Sequence, residues 1–212
     1  MSHFKSILPV GFDGNVFFSS DWHLNHTNIT GPDVSNWKDG YRNFNSTYEM
    51  NKHIIKNINV KVKWNDILIF HGDFCFKNHK LTPNWRNSIN CQTIHWITGN
   101  HDNHAHLYAN NFTSVQSYME YSVYGQDIVS FHYPIFSWNG IGKGIWCCHG
   151  HTHAHPNIQK ANLSTKRLDV GIDSYYEMFG TYDVFSFEEV RKIMNNKSVQ
   201  IVDGHTEKTN VR

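Results

Sequence analysis

A chain of 212 residues is long enough to bury a substantial core without covalent staples, and its formal charge of +1 carries no electrostatic footprint of the kind a duplex binder shows. The four cysteines form neither a CxxC knuckle nor the regular spacing of a secreted framework, so they read as reduced thiols. What stands out is sixteen histidines, crowded at His101, His104 and His106 and again at His149, His151, His153 and His155. Crowding at such spacing points to metal chemistry.

The opening MSHFKSILPVGFDG has no basic region leading into a long apolar run, and nowhere do eighteen apolar residues occur together. The expectation is a soluble, cytoplasmic protein with no membrane partner. No internal repeat, Pro/Ser-rich linker or block of like charge interrupts the chain, so one continuous domain over 1–212 is the simplest division.

In chain order, Val16-Phe17-Phe18 predicts a strand that runs into Ser19-Ser20-Asp21. Between Glu49 and Val60, Met50, Ile54 and Ile58 recur every fourth residue, with Lys52, Lys56 and Asn57 on other faces, which predicts a helix. Ile67–Phe70 then leads into His71-Gly72-Asp73, and Ile94–Ile97 into Thr98-Gly99-Asn100-His101. Ile128–Phe131 precedes His132, and Ile145–Cys148 precedes His149-Gly150-His151. Unalternating apolar runs are strands buried on both faces, and such strands must be covered by helices or by another sheet. The strand, helix, strand order argues for a layered α/β sheet, with the later strands forming a second sheet packed on it. Loops at the carboxyl ends of such strands are where ligand sites form, and five of them here carry acidic, amide or imidazole groups.

Taken as ligands, the candidates are Asp21, His23, Asp73, Asn100, His132, His151 and His153, all oxygen or nitrogen donors. A set without thiolates suits catalytic divalent ions better than a closed structural zinc site. Seven donors exceed the needs of one tetrahedral ion, whereas two ions roughly 3.5–4 Å apart and sharing a carboxylate would leave positions for water and substrate.

The blocks Asp21-Trp22-His23, Gly72-Asp73, Gly99-Asn100-His101-Asp102, His132 and Gly150-His151-Thr152-His153, complete and in order, resemble the calcineurin-like metallophosphoesterases. Asp21-Trp22-His23-Leu24-Asn25-His26-Thr27-Asn28-Ile29, Glu49-Met50 and His132-Tyr133-Pro134 are similar to small bacterial and phage phosphoesterases of that superfamily. The resemblance implies a four-layer α/β/β/α sandwich of two packed mixed sheets flanked by helices. It implies that Asp21, His23 and His153 hold one ion and Asn100, His132 and His151 a second, with Asp73 bridging. Mn²⁺ is the first expectation, and Zn²⁺, Fe²⁺, Ni²⁺ or Mg²⁺ are alternatives.

The implied reaction is hydrolysis of a phosphoester, a phosphodiester or nucleotide first, by a hydroxide held between the two ions, whose charge lowers the pKa of water. His101 matches the family's catalytic histidine, which protonates or stabilises the leaving oxygen, with Asp102 or Asp73 orienting its ring. His26, Asn100 and His101 are the implied substrate contacts. The partner is then a small phosphorylated molecule, a nucleotide among the candidates. The sequence departs from the pattern at His71, where the family usually has an apolar residue, and at Trp22, where close relatives commonly have threonine. Both departures bear on substrate fit.

Plainer readings stand beside these. Asp and Asn are common in turns whatever the function, and Asp102 also reads as a helix cap. His104, His106 and His155 read as exposed loop residues, and His149 as packed at a strand end. Trp22, Tyr133, Phe136 and Trp138 could stack on a base or aryl group, but core or rim packing is the ordinary use of such side chains. A phosphomonoesterase or nucleotide pyrophosphohydrolase would use the same centre, and a non-catalytic scaffold would normally have lost ligands. A metallo-β-lactamase would show H-x-H-x-D-H, and His151-Thr152-His153-Ala154-His155 lacks its ending.

Overall fold

The protein's structure, a computed structural model, describes residues 4–31 and 41–200; residues 1–3, 32–40 and 201–212, which the single-domain expectation also spans, lie outside the described residues. Strand β1 (Val16–Ser19) is followed by helix α1 (Thr47–Lys61), β2 (Ile67–Phe70), the short helix α2 (Thr82–Asn87) and β3 (Thr93–Ile97). Then come β4 (Ser114–Gln116), β5 (Tyr118–Val123), β6 (Gln126–Phe131), β7 (Trp146–His149), α3 (Pro156–Leu163) and β8 (Arg167–Asp169). Helix α4 (Ile172–Phe179), β9 (Phe185–Ser186) and α5 (Phe187–Asn195) complete the series.

Two mixed sheets form. The first has the order β4-β3-β2-β1-β9, parallel except for the antiparallel β9, and the second has the order β5-β6-β7-β8, parallel from β6 onward. Alternate residues of each strand serve different cores. Val16, Phe18, Ile67 and Ile69 meet Tyr121, Ile128, Trp146 and Cys148 in the core that joins the sheets. Phe17, Leu68 and Phe70 face Met50, Ile54 and Ile58 of α1 on the outside of the first sheet. Val129 and Cys147, on the outside of the second, are covered by Trp138, Ile141 and Ile145. Burial on both faces explains why these strands read as unbroken apolar runs.

Helix α1 begins where its chemistry dictates. The Ser46 side chain accepts from the Glu49 amide at 3.2 Å, and Glu49 Oε2 accepts from the Asn45 amide at 3.2 Å, satisfying amides that have no partner within the helix. Its buried residues include Met50, Ile54 and Ile58, the stripe read from the sequence. The four cysteines are buried and unbonded to one another. Among the described residues no helix is long and apolar enough to cross a membrane.

Candidate metal centre

The five polar loops follow the carboxyl ends of β1, β2, β3, β6 and β7, and they converge where the sheets abut. The segment after β1 runs alongside the segment after β2 through Asp21 N to Gly72 O at 2.9 Å, His23 N to Asp73 O at 2.9 Å and Leu24 N to Phe74 O at 3.1 Å. The second sheet is tied in by the His151 amide, which donates to Asp21 Oδ2 at 2.9 Å, and by His132 Nδ1, which donates to the His71 carbonyl at 2.6 Å. Close approach needs glycine. A Cβ on Gly72, whose φ is 97°, would lie 2.5 Å from Gly99 N, and one on Gly99 would fall on Asp73 Oδ1.

Backbone strain gathers at the same place. Asp21, His23, Asp73, His151 and His153 all have positive φ, between 46° and 72°. Left-handed backbone at a non-glycine residue costs on the order of 1–3 kcal/mol and persists where the surroundings over-determine it, characteristically at functional sites.

Two groups of possible ligands stand out among the described residues, and Asp21 belongs to both. Asp21, His23 and His153 offer donor atoms within 4.8 Å of one another, as do Asp21, Asp73 and His132. Asp73 lies between: its Oδ2 is 3.5 Å from both His23 Nε2 and His132 Nε2, while its Oδ1 accepts the His101 amide at 2.9 Å. Asn100 Oδ1 stands 3.0 Å from His132 Nε2 and 3.0 Å from His151 Nδ1.

Two observations fit this set to bound cations. Asp21 Oδ1 and both His23 ring nitrogens are buried without a hydrogen-bond partner, a costly arrangement unless something else satisfies them. In a neutral His132 ring the proton is on Nδ1, donated to the His71 carbonyl, so the Nε2 lone pair faces the Asn100 oxygen. Two acceptors at that distance are held together well by a cation between them.

Burial sets the electrostatics. It pushes Asp21 up to about 7, against the pull of His153 and His132. It holds His23 well below the usual imidazole value, with His153 and Arg42 adding to the effect, and lowers His151. His153 is the exception: burial pulls it down, but its Nδ1 donates to Asp173 Oδ2 at 2.7 Å, and Asp173 and Asp21 together raise it.

The remaining expected residues divide. The exposed His101 ring lies 5.4 Å from that of His23 and 4.9 Å from that of Phe76. His26 stacks on Phe76 at 3.7 Å and sits 5.2 Å from His23, and burial lowers it to about 4. Asp102 has a different setting from the one expected of a group orienting His101. Its carboxylate accepts four N–H groups, from the Asp73, Phe74 and Gly99 amides and the Trp96 indole, at 2.7–3.1 Å. It pins the Gly72-Asp73 loop to the Gly99-Asn100 loop. Trp22 and Trp138 are core residues, whereas Tyr133 is 39% exposed with its ring 4.6 Å from that of His151. His149 is buried at the end of β7 and paired with Asn162, and His104, His106 and His155 are exposed.

Sequence reasoning missed Arg42 and Asp173, which stand behind Asp21 and His153. The only local trace is Leu168-Asp169-Val170-Gly171-Ile172-Asp173, a further apolar run that leads into carboxylates.

Comparison with known proteins agrees with this geometry. The chain is 30% identical over 159 residues to an uncharacterised protein of Methanocaldococcus jannaschii, a match covering 74% of this chain and 80% of that one. A crystal structure of a protein of unknown function from Aquifex aeolicus shares the fold with a TM-score of 0.64 at 17% identity, over 85% of this chain and all of that one. The family model for calcineurin-like phosphoesterases matches residues 14–209, and the chain belongs to that family.

Proposed function

We propose that this protein hydrolyses a small phosphodiester or nucleotide with two divalent ions, Asp21, His23 and His153 holding one, Asn100, His132 and His151 the other, and Asp73 shared between them. The observation that carries the reading is the convergence of Asp21, His23, Asp73, His132 and His153 around partnerless, buried atoms at Asp21 and His23, with Asn100 against His132 and His151 beside them. When bound, the ions would supply the Lewis acidity that makes water nucleophilic near neutral pH and that neutralises charge developing on the phosphoryl oxygens.

The chain's own groups do the rest. Asp73 is aimed by its Oδ1 contact with the His101 amide, which leaves Oδ2 facing both halves of the site. The His101 side chain, fixed at its backbone by the same hydrogen bond, stands exposed where it can give a proton to the departing oxygen. His26, braced on Phe76, offers a further contact for the phosphoryl group. The exposed ring of Tyr133 beside His151 supplies a surface for a base or aryl group, which favours a nucleotide or diester over a bare sugar phosphate.

The test is to strip the protein of metal, reconstitute with Mn²⁺, count ions by elemental analysis and compare diester, monoester and nucleotide hydrolysis. Two ions per chain and a preference for diesters or nucleotides are expected. At most one ion, or no turnover on any substrate, would end the proposal; two ions with a monoester preference would move it to the phosphomonoesterase reading.

A further inference from the structure

Arg42 is the deepest lysine or arginine among the described residues, 1% exposed, and its side-chain hydrogen bonds to oxygen all go to the neighbourhood of the first ligand group. Its Nη2 donates to the Asp21 carbonyl at 2.6 Å and its Nη1 to the Trp22 carbonyl at 2.8 Å. Its Nε and Nη2 also form a two-pronged pair with Asp173, at 2.8 and 2.7 Å. Asp173 Oδ2 in turn accepts from His153 Nδ1. The arginine is itself anchored, since Arg42 N donates to the Ile29 carbonyl at 2.7 Å and Gly31 N donates to the Arg42 carbonyl at 2.8 Å.

We propose that Arg42, acting through Asp173 and through the carbonyls of Asp21 and Trp22, is the positioning residue that preforms the first cation site. The inference rests on Asp21, His23 and His153 being ligands. It goes further, because it makes the two sites unequal. In the first site a planar five-donor fork holds both the strained Asp21-Trp22-His23 backbone and the carboxylate that fixes the His153 tautomer with Nε2 turned inward. The residues proposed for the second ion have weaker supports: the His132 ring leans on a single backbone carbonyl, and the exposed His151 has its Nδ1 against Asn100. The first site is therefore built before an ion arrives, and it fills first.

A rival account gives Arg42 only a charge. A buried cation near a dication would repel it, so neutralising the arginine would tighten binding. Positioning makes the opposite forecast, and Arg42→Lys separates the two, because it keeps the charge and loses the fork. Metal-free full-length protein is titrated with Mn²⁺ by calorimetry, with melting of the metal-free forms followed in parallel. Wild type should show two steps. Arg42→Lys should weaken one step by about 10–100-fold, the usual cost of losing an outer partner of a ligand, and leave the other within about 3-fold. Asp173→Asn, which preserves shape, should weaken the same step, and the double variant should lose less than the two single losses combined because the residues share one contact. In a His151→Ala background, which removes a residue proposed for the second ion, the remaining step should carry the loss.

Wild-type affinity in both variants, tighter binding, or equal weakening of both steps would overturn the proposal. If Arg42→Lys does not fold, Asp173→Asn decides alone. Wild-type protein that takes up no ion overturns the functional reading and this inference with it, an outcome distinct from failure of the variants.

Discussion

His101 and Asp102 are neighbours in sequence with separable jobs. His101 approaches Asp73 through its amide, and its ring stands at the exposed rim, so His101→Ala should retain both ions while hydrolysis slows by about 10²–10⁴-fold, the range of general acid–base help. The loss should be greater for an alkoxide leaving group, which needs a proton, than for nitrophenolate, which leaves without one. Equal slowing of both substrates would mean that the ring positions phosphate instead. Asp102→Ala should behave differently, because it strands three buried N–H groups and the half-buried Gly99 amide, at a cost of roughly 1–3 kcal/mol for each buried group left unpaired. Melting temperature, metal content and turnover should all fall together. A variant with unchanged melting and metal content but slow turnover would restore to Asp102 the ring-orienting role that the resemblance implies.

At the level of elements, what could be read from the sequence follows from how each is buried. The strands β1, β2, β3, β6 and β7 and the helix α1 carry continuous or four-residue-periodic apolar patterns, and they fall within two residues of where those patterns put them. Three-residue β4 has Ser114 and Gln116 half-exposed, and β9 has two residues, so neither offers a period to recognise. Helix α5 did carry a usable signal, the capping box of Ser186 and Glu189. Just beyond it, Lys197 Nζ donates to the Arg167 carbonyl, and burial, with Arg167 and Lys166 adding to it, pushes the lysine from 10.5 down to about 8. A folded value below the unfolded one means that the folded state binds fewer protons between these limits, so stability rises with pH from 8 to 10.5 and the full penalty is present below 8. At about 1.36 kcal/mol per unit the penalty is on the order of 3 kcal/mol. Loss of the hydrogen bond, about 1 kcal/mol, offsets part of this, so Lys197→Met should stabilise the protein by roughly 1–2 kcal/mol at pH 7. Denaturant melts at pH 7 and pH 9.5 check it: the gain should shrink at the higher pH.

For the whole molecule, the strained loops and stranded acceptors of the site work against folding until cations bind. Binding to the folded state alone adds about 2.7 kcal/mol at a hundredfold excess over Kd, and for a chain of this size each kcal/mol moves Tm by about 2–4 °C. Chelation should therefore lower Tm by roughly 5–10 °C for each ion removed, restored by Mn²⁺. An unchanged melt after verified metal removal would show that the site does not depend on ions for its shape. The sequence alone determined the α/β class, the strands that bear the site and the donor types at their ends, because strand burial and loop chemistry are local and leave periodic or clustered marks. The tertiary structure alone decided that His23 and His132 both stand near Asp73 Oδ2, that Asp102 holds two loops together, and that Arg42 and Asp173, 131 residues apart, brace Asp21 and His153. Such pairings depend on how the two sheets and their loops meet, and contact across the fold leaves no pattern along the chain.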